Sequence, residues 1–336
     1  MRIRALALPA AGLLLLGLTL VQKPAQAASG ACDRSCLEGF VDRYLDAVLA
    51  HDPKGAPLSH DVKFTENGQK LELGDGLWRT LSAKGTYRMF VTDPKAGQVT
   101  FLGSIKEADT PAMLALHLTV RGGQITAVET LVQRSDKSGM GFEKIGYAWN
   151  EPLPAAERMS HEDLVKTANM YFSGMQMNDG KGVYPFTDDC NRIENGTFTT
   201  NQPTPAGQTR PDPKTSSNYS GQWGCKEQFD SGLLHFVSRI RDRRYVSVDP
   251  ERGLVFAFGF FDHMAGDTRN FQTPDGRPVT AGPKAPWTWE IAEAFKIEHG
   301  KIHQIQAIME HVPYGMLSGW STWDEGMSSK ARDVSK

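Results

Sequence analysis

Val41-Asp42-Arg43-Tyr44-Leu45 is followed by His51-Asp52-Pro53-Lys54-Gly55, by Pro57-Leu58-Ser59, by Asp61 and by Glu66-Asn67-Gly68. The same series is written a second time: Ala168-Asn169-Met170-Tyr171-Phe172, Asn178-Asp179-Gly180-Lys181-Gly182, Pro185-Phe186-Thr187, Asp189 and Glu194-Asn195-Gly196, with Tyr184 as the one inserted residue. Further on, Gly76, Asp93-Pro94 and Gly97 recur as Gly232, Asp249-Pro250 and Gly253 at a constant displacement of 156 positions. Gly123-Gln124-Ile125 is likewise answered by Gly300-Lys301-Ile302. A register held this long marks an internal duplication. It predicts one domain at 32–134, a linker at 135–160, a second domain at 161–322 and a tail at 323–336. The stretch 197–231, rich in Pro, Gly, Ser and Asn, has no counterpart in the first copy and reads as a lid-like insertion.

Each copy opens with an amphipathic helix. Leu37, Val41, Tyr44 and Val48, and again Leu164, Ala168, Tyr171 and Met175, recur at i, i+4, i+7 and i+11 on one face. A short polar turn and a strand follow, then an expected helical stretch near 77–84 or 233–240. Long strands come next: Gln98–Ile105, Met113–Val120 and Ile125–Val132 in the first copy, Leu254–Phe261, Thr288–Ile297 and Ile302–Met309 in the second. Helices first and an antiparallel meander afterwards make an α+β fold.

The 336 residues are 40% apolar and 23% charged, which is globular composition. A net charge of −2 gives no electrostatic case for nucleic acid or an anionic membrane as partner. Residues 1–27 read as a signal peptide, because Arg2 and Arg4 precede the apolar run Ala5–Val21, and Ala25-Gln26-Ala27 offers small residues at the cleavage positions. The alternative, a retained membrane anchor, is weakened by Pro9 and Gly12 in a run already short for spanning. The expected location is therefore periplasmic or extracellular, where four cysteines favour disulfides; of the three possible pairings, Cys32–Cys36 at a helix start and Cys190–Cys225 around the Pro/Gly/Ser/Asn-rich loop are favoured, with free Cys32 and Cys36 as the alternative.

Strand alternation places Val62, Phe64 and Glu66 on one face, and Cys190, Arg192 and Glu194 on the matching face of the second copy. Trp287, Trp289, Ile291, Glu293, Phe295 and Ile297 share a face as well. A lone Glu among five apolar neighbours should be buried, with a raised pKa. Its first-copy counterpart is Leu116. His303, Ile305, Ala307, Met309 and His311 form another such face, and His263 follows an apolar strand.

With its helix-borne tyrosine, Gly/Asp turn and Asp-x-x-Phe-x-Glu strand, this pattern resembles the NTF2-like superfamily of cone-shaped α+β domains, which includes ketosteroid isomerase and SnoaL-like cyclases. The duplicated arrangement, ending in Val312-Pro313-Tyr314-Gly315-Met316, also looks like an uncharacterised family of secreted bacterial and fungal proteins. The superfamily resemblance implies two tandem cones from an internal duplication, each wrapped around an apolar pocket. It aligns Glu66 and Glu194 with a general base, and Tyr44 and Tyr171 with an oxyanion-stabilising tyrosine. Glu293 falls where an acidic hydrogen-bond donor is placed, so only the second copy holds all three roles.

The sequence lacks a Gly-x-Ser-x-Gly elbow, a Walker-type loop, a His-Glu-x-x-His helix and a dinucleotide fingerprint. No cofactor or metal is expected. What remains is proton transfer by Tyr, Glu, Arg and His on a small hydroxylated or carbonyl substrate, as in a lyase or isomerase. Glu194, Tyr171, Glu293, His263 and His311 are the expected catalytic residues, and Arg192, Trp289, Tyr314 and Trp320 the expected substrate contacts. Arg192 reads equally as the counter-ion of Glu194. Two alternatives stay open: a non-catalytic protein that binds a small ligand, and, ranked last, a glycoside hydrolase using Glu194 and Glu293. Whether the chain forms a homo-oligomer is also open.

Overall fold

The computed structural model describes residues 32–134 and 149–336; the expected signal peptide and residues 135–148 of the expected linker lie outside them. Helix α1 (Arg34–Leu49) starts where the Asp33 side chain accepts the Cys36 amide, and buries Leu37, Val41, Tyr44 and Val48 as the spacing predicts. β1 (Leu58–Glu66), β2 (Gln69–Lys70), the one-turn α2 (Leu77–Thr80), β3 (Leu81–Asp93), β4 (Gln98–Glu107), β5 (Thr110–Arg121) and β6 (Gln124–Arg134) complete the first copy. In the second copy α3 (His161–Met175), capped by Ser160, precedes β7 (Phe186–Glu194), β8 (Thr197–Phe198) and α4 (Cys225–Asp230). After these come β9 (Arg239–Asp249), β10 (Leu254–His263), β11 (Asn270–Gln272), β12 (Pro278–Thr280), β13 (Trp287–Glu298) and β14 (Lys301–Val312). The chain closes with α5 (Trp323–Met327) and β15 (Arg332–Asp333).

The first sheet runs β2-β1-β6-β5-β4-β3; the second, read from its far edge, runs β8-β7-β14-β13-β10-β9 with β15 added. Strand for strand the order is the same, and the one parallel pair joining the main strands falls at the same place, β1 on β6 and β7 on β14. Register agrees residue by residue. Glu66 pairs with Thr130 and Thr130 with Leu116, whereas Glu194 pairs with Ala307 and Ala307 with Glu293. Asp93 and Asp249 close equivalent turns, opposite Gln98 and Leu254. At both Asn-Gly turns the Asn side chain brackets one residue of the neighbouring strand. Asn67 bonds the carbonyl and amide of Val132 at 3.0 and 2.7 Å, and Asn195 those of Met309 at 3.0 and 2.8 Å. The chain is a duplicated α+β fold.

Expectation and structure differ at 77–84 and 233–240. The helix in the first copy is a single turn, and strands β3 and β9 occupy most of the chain beyond these points. Glu66 marks where that turn starts: its carboxylate accepts the Leu77 amide at 2.8 Å, and Gly76, at φ +61, has no room for a Cβ beside it. Leu81 onward then pairs with β4 instead of continuing the helix. The expected tail is also built in, since β15 extends the second sheet beside β9.

The sheets lie back to back. Met89, Val91, Leu102, Met113 and Leu131 of the first interleave with Val246, Phe256, Phe258, Ala292 and Ile308 of the second, while α1 and α3 cover the two outer faces. Each helix also reaches across at its first residue. Arg34 bonds Asp249 at the β9–β10 turn, and His161 lies 3.8 Å from Asp93 at the β3–β4 turn. Among the described residues no helix is long and apolar enough to cross a membrane.

Candidate functional site

On the α3 side of the second sheet, cross-strand pairing sets Glu194, Ala307, Glu293 and Ala257 in one row, with Tyr245 at its end. The equivalent row of the first sheet is Glu66, Thr130, Leu116 and Phe101, with Phe90 beyond. Where the first row has Leu116 and Phe101, the second has Glu293 and Ala257, which makes its centre polar. Tyr171 of α3 lies over it, edge-on to Phe295 at 5.3 Å.

Arg192 organises the row. Its guanidinium is buried and meets Glu194 at 3.0 Å, Thr199 at 3.1 Å, Gln228 at 2.8 Å and, more loosely, Tyr171 at 3.5 Å; it also bonds the Tyr219 hydroxyl. Tyr219 and Gln228 come from the 197–231 insertion. The Cys190–Cys225 disulfide ties α4 to β7 two residues before Arg192, so Gln228, one turn along α4, reaches the guanidinium. A second insertion, absent from the sequence reading, braces the first. Where β4 and β5 are joined by Ala108–Asp109, β10 and β13 are separated by residues 264–286, which carry β11 and β12. Arg277 of this segment donates to the carbonyls of Thr215 and Ser216 at 3.1 and 2.8 Å. Trp223, Leu233, Phe271 and Val279 form a small core between the two insertions. The insertion is thus part of a packed cap.

Burial drives the electrostatics. Glu293 is 1% exposed, and its carboxyl is pushed up to about 8 by burial and by Glu194, against the opposing pull of Arg192 and Tyr171. At neutral pH it holds its proton, and among the described residues its Oε2 meets no hydrogen-bond partner. Tyr171 is raised well above the ordinary phenol value by burial and by Glu293, and Tyr219 is pushed up to about 12 by burial. The row can therefore present a neutral acid, a phenol and an ion-paired carboxylate inside an apolar wall.

The other expected residues lie apart from this row. His263, Trp287 and His311 form a stack with Phe236. The His263 ring is parallel to Trp287 at 4.0 Å and Trp287 to His311 at 4.7 Å, with Trp289 edge-on to both His263 and Trp287. On β13, Trp289 and Trp287 are four and six residues from Glu293, roughly 13 and 20 Å along a strand. Burial lowers His263 to about 4, so it is neutral at ordinary pH. Trp320 sits against the first sheet, donating to Thr65 at 2.8 Å with Lys63 over its ring. Tyr314 is exposed beyond β14, and His303 pairs with Glu298 at the far end of that strand. In the first copy Glu66 caps α2 and pairs with Arg134 at 2.5 Å, and Tyr44 packs edge-on to Trp78.

Sequence reasoning missed Tyr219, Gln228 and Thr199, which belong to an insertion with no periodicity. The exchange of Phe101 for Ala257 was open to view in the constant displacement. A cleft of about 550 Å³ lies outside this row, between the two insertions, where Lys214, Asp230, Asp275 and Arg277 line it. Of its wall, Arg277 and Asp275 pair with each other, and Asp230 pairs with Lys226. Among the described residues no group of three or more His, Cys, Asp or Glu is arranged to hold a metal ion.

No curated protein matches the chain. A crystal structure of a protein from Sphaerobacter thermophilus is similar over 29% of this chain and 94% of its own, at 17% identity and a TM-score of 0.25. The model of a family described as a domain of unknown function, DUF8021, matches residues 31–132 and 157–309, spanning both sheets. The chain therefore belongs to the DUF8021 family.

Proposed function

We propose that the protein is an exported, cofactor-independent lyase or isomerase, built from two NTF2-like cones, whose second copy moves protons on a small hydroxylated or carbonyl substrate. The observation that carries this reading is the row in which neutral Glu293 stands where the first copy has Leu116, beside Tyr171 and ion-paired Glu194. A carboxyl kept neutral by burial can donate a hydrogen bond to a developing oxyanion, and a carboxylate nearby can take the proton that creates it. In this scheme Glu194 is the base, Glu293 and Tyr171 stabilise the oxygen, and Arg192 holds Glu194 in place. His263 and His311 take no part in the proton transfers, because they lie in the separate stack.

The test is a paired substitution in the whole chain, assayed against pools of hydroxylated aromatic, terpenoid and uronate compounds. Glu194→Gln should lower turnover by roughly 10² or more with little change in affinity, and Glu66→Gln should leave turnover unaltered. Reversal of that pattern would move the chemistry to the first copy. Indifference to both would favour a second reading, a non-catalytic ligand binder. That reading has its own support in the stack of Phe236, His263, Trp287 and His311, whose outer rings are partly exposed.

A further inference from the structure

The guanidinium of Arg192 has five N–H donors, and the protein already engages its three nitrogens with Glu194, Thr199, Tyr171, Tyr219 and Gln228. An arginine meant to clamp a substrate carboxylate or phosphate would keep a two-pronged face open. This one keeps none. Access to the row is also uneven: Glu293, Tyr171 and Arg192 are buried, whereas Glu194, at the Arg192 Nε, and Tyr219, at its Nη2, are partly exposed. The Tyr219 hydroxyl accepts from Arg192, and its own proton points to the Thr199 carbonyl over 3.4 Å, a long and weak bond for a hydroxyl. That proton is available to a better acceptor.

Resting on the reading of the row as an acid–base site, we infer that Tyr219, carried in by the cap and held on the same guanidinium as Glu194, is the catalytic proton donor that partners it, and that the substrate is uncharged. In the common step Glu194 takes a proton from a carbon beside the substrate carbonyl. The C–H pair becomes the C=C bond, the carbonyl π pair moves to oxygen, and Tyr219 gives that oxygen its proton. Return of both protons, with carbon reprotonated at the same or a conjugated position, restores the protein, so no co-reactant is consumed. Arg192 stabilises the transient tyrosinate and carboxylate in turn.

The experiment uses the full chain and two kinds of probe. Exchange of the α-hydrogens of 2-tetralone in deuterated water reads proton abstraction, and quenching of tryptophan fluorescence by 2-naphthol or 2-naphthoate reads binding of a neutral ring against its anionic analogue. The expected result is exchange that requires Glu194, falls at least tenfold in Tyr219→Phe at an unchanged melting temperature, and is accompanied by tighter binding of naphthol than of naphthoate. With 3-fluorotyrosine at position 219 the alkaline limb of the exchange rate should move to lower pH, which a merely structural phenol would not produce. Exchange that depends on Glu194 but is unchanged in Tyr219→Phe overturns the role of Tyr219 and leaves the proposed function standing. Preference for naphthoate overturns the uncharged substrate. Exchange indifferent to Glu194, or no exchange and no naphthol binding by the unaltered protein, overturns both readings.

Discussion

Glu293 and Glu290 are three residues apart on one strand, point to opposite faces, and are both pushed up to about 8 by burial. Each is charged in the unfolded chain above the ordinary Glu value of 4.5 and neutral in the folded one until about 8. Between these limits the native state binds more protons, so stability should fall as pH rises from 4.5 to 8 and level off above that. The slope is about 1.4 kcal/mol per pH unit for each group. Chemical denaturation across this window should show a flatter profile in Glu290→Gln and Glu293→Gln, and a flat wild-type profile would contradict their burial as acids. The first copy behaves differently. Glu66 is engaged by Arg134 and by the Leu77 amide, so Glu66→Gln should lower stability by about 1.5–3 kcal/mol, measured by urea unfolding, without touching turnover.

At the scale of elements, the cap depends on its anchor. The Cys190–Cys225 bridge closes a loop of 35 positions and fixes α4 beside Arg192. Replacing both cysteines by Ser should remove about 2–4 kcal/mol of stability, visible as a lower melting temperature, and should weaken ligand binding by releasing Gln228 and Tyr219. An unchanged melting temperature would show that the core of Trp223 and Phe271 holds the cap alone. The elements most legible beforehand were those written as long, unbroken apolar-rich runs: β4, β5, β6, β10, β13 and β14 all lie within a few residues of expectation. β3 and β9 escaped because the apolar residues leading into them, Leu77, Trp78 and Leu81 in one copy and Leu233, Leu234 and Val237 in the other, fit a helical period. Glu293 was legible as one acid on an apolar face. Tyr219 was not, since a residue on an insertion acquires its place only from a disulfide and a second insertion distant in sequence.

Over the whole molecule the two copies are related like subunits of a dimer, each gripping the other's turn with the first residue of its leading helix. The grips are unequal. Arg34 binds Asp249, whose side chain is 1% exposed, while His161 stands farther from Asp93. Asp249→Asn should therefore cost more stability than Asp93→Asn, by about 1–3 kcal/mol in denaturant unfolding. Equal losses would mean that the two contacts are equivalent. The paired Asn-Gly turns add a consequence for the chemical ageing of the molecule. Asn-Gly is the dipeptide most prone to cyclise to succinimide and emerge as isoaspartate, yet here each Asn amide is pinned to the strand beside it. Cyclisation must wait until that strand pair opens. Isoaspartate accumulating at residue 67 or at residue 195 in stored protein would accordingly record, as a permanent mass-spectrometric trace, which half of the chain opens more often.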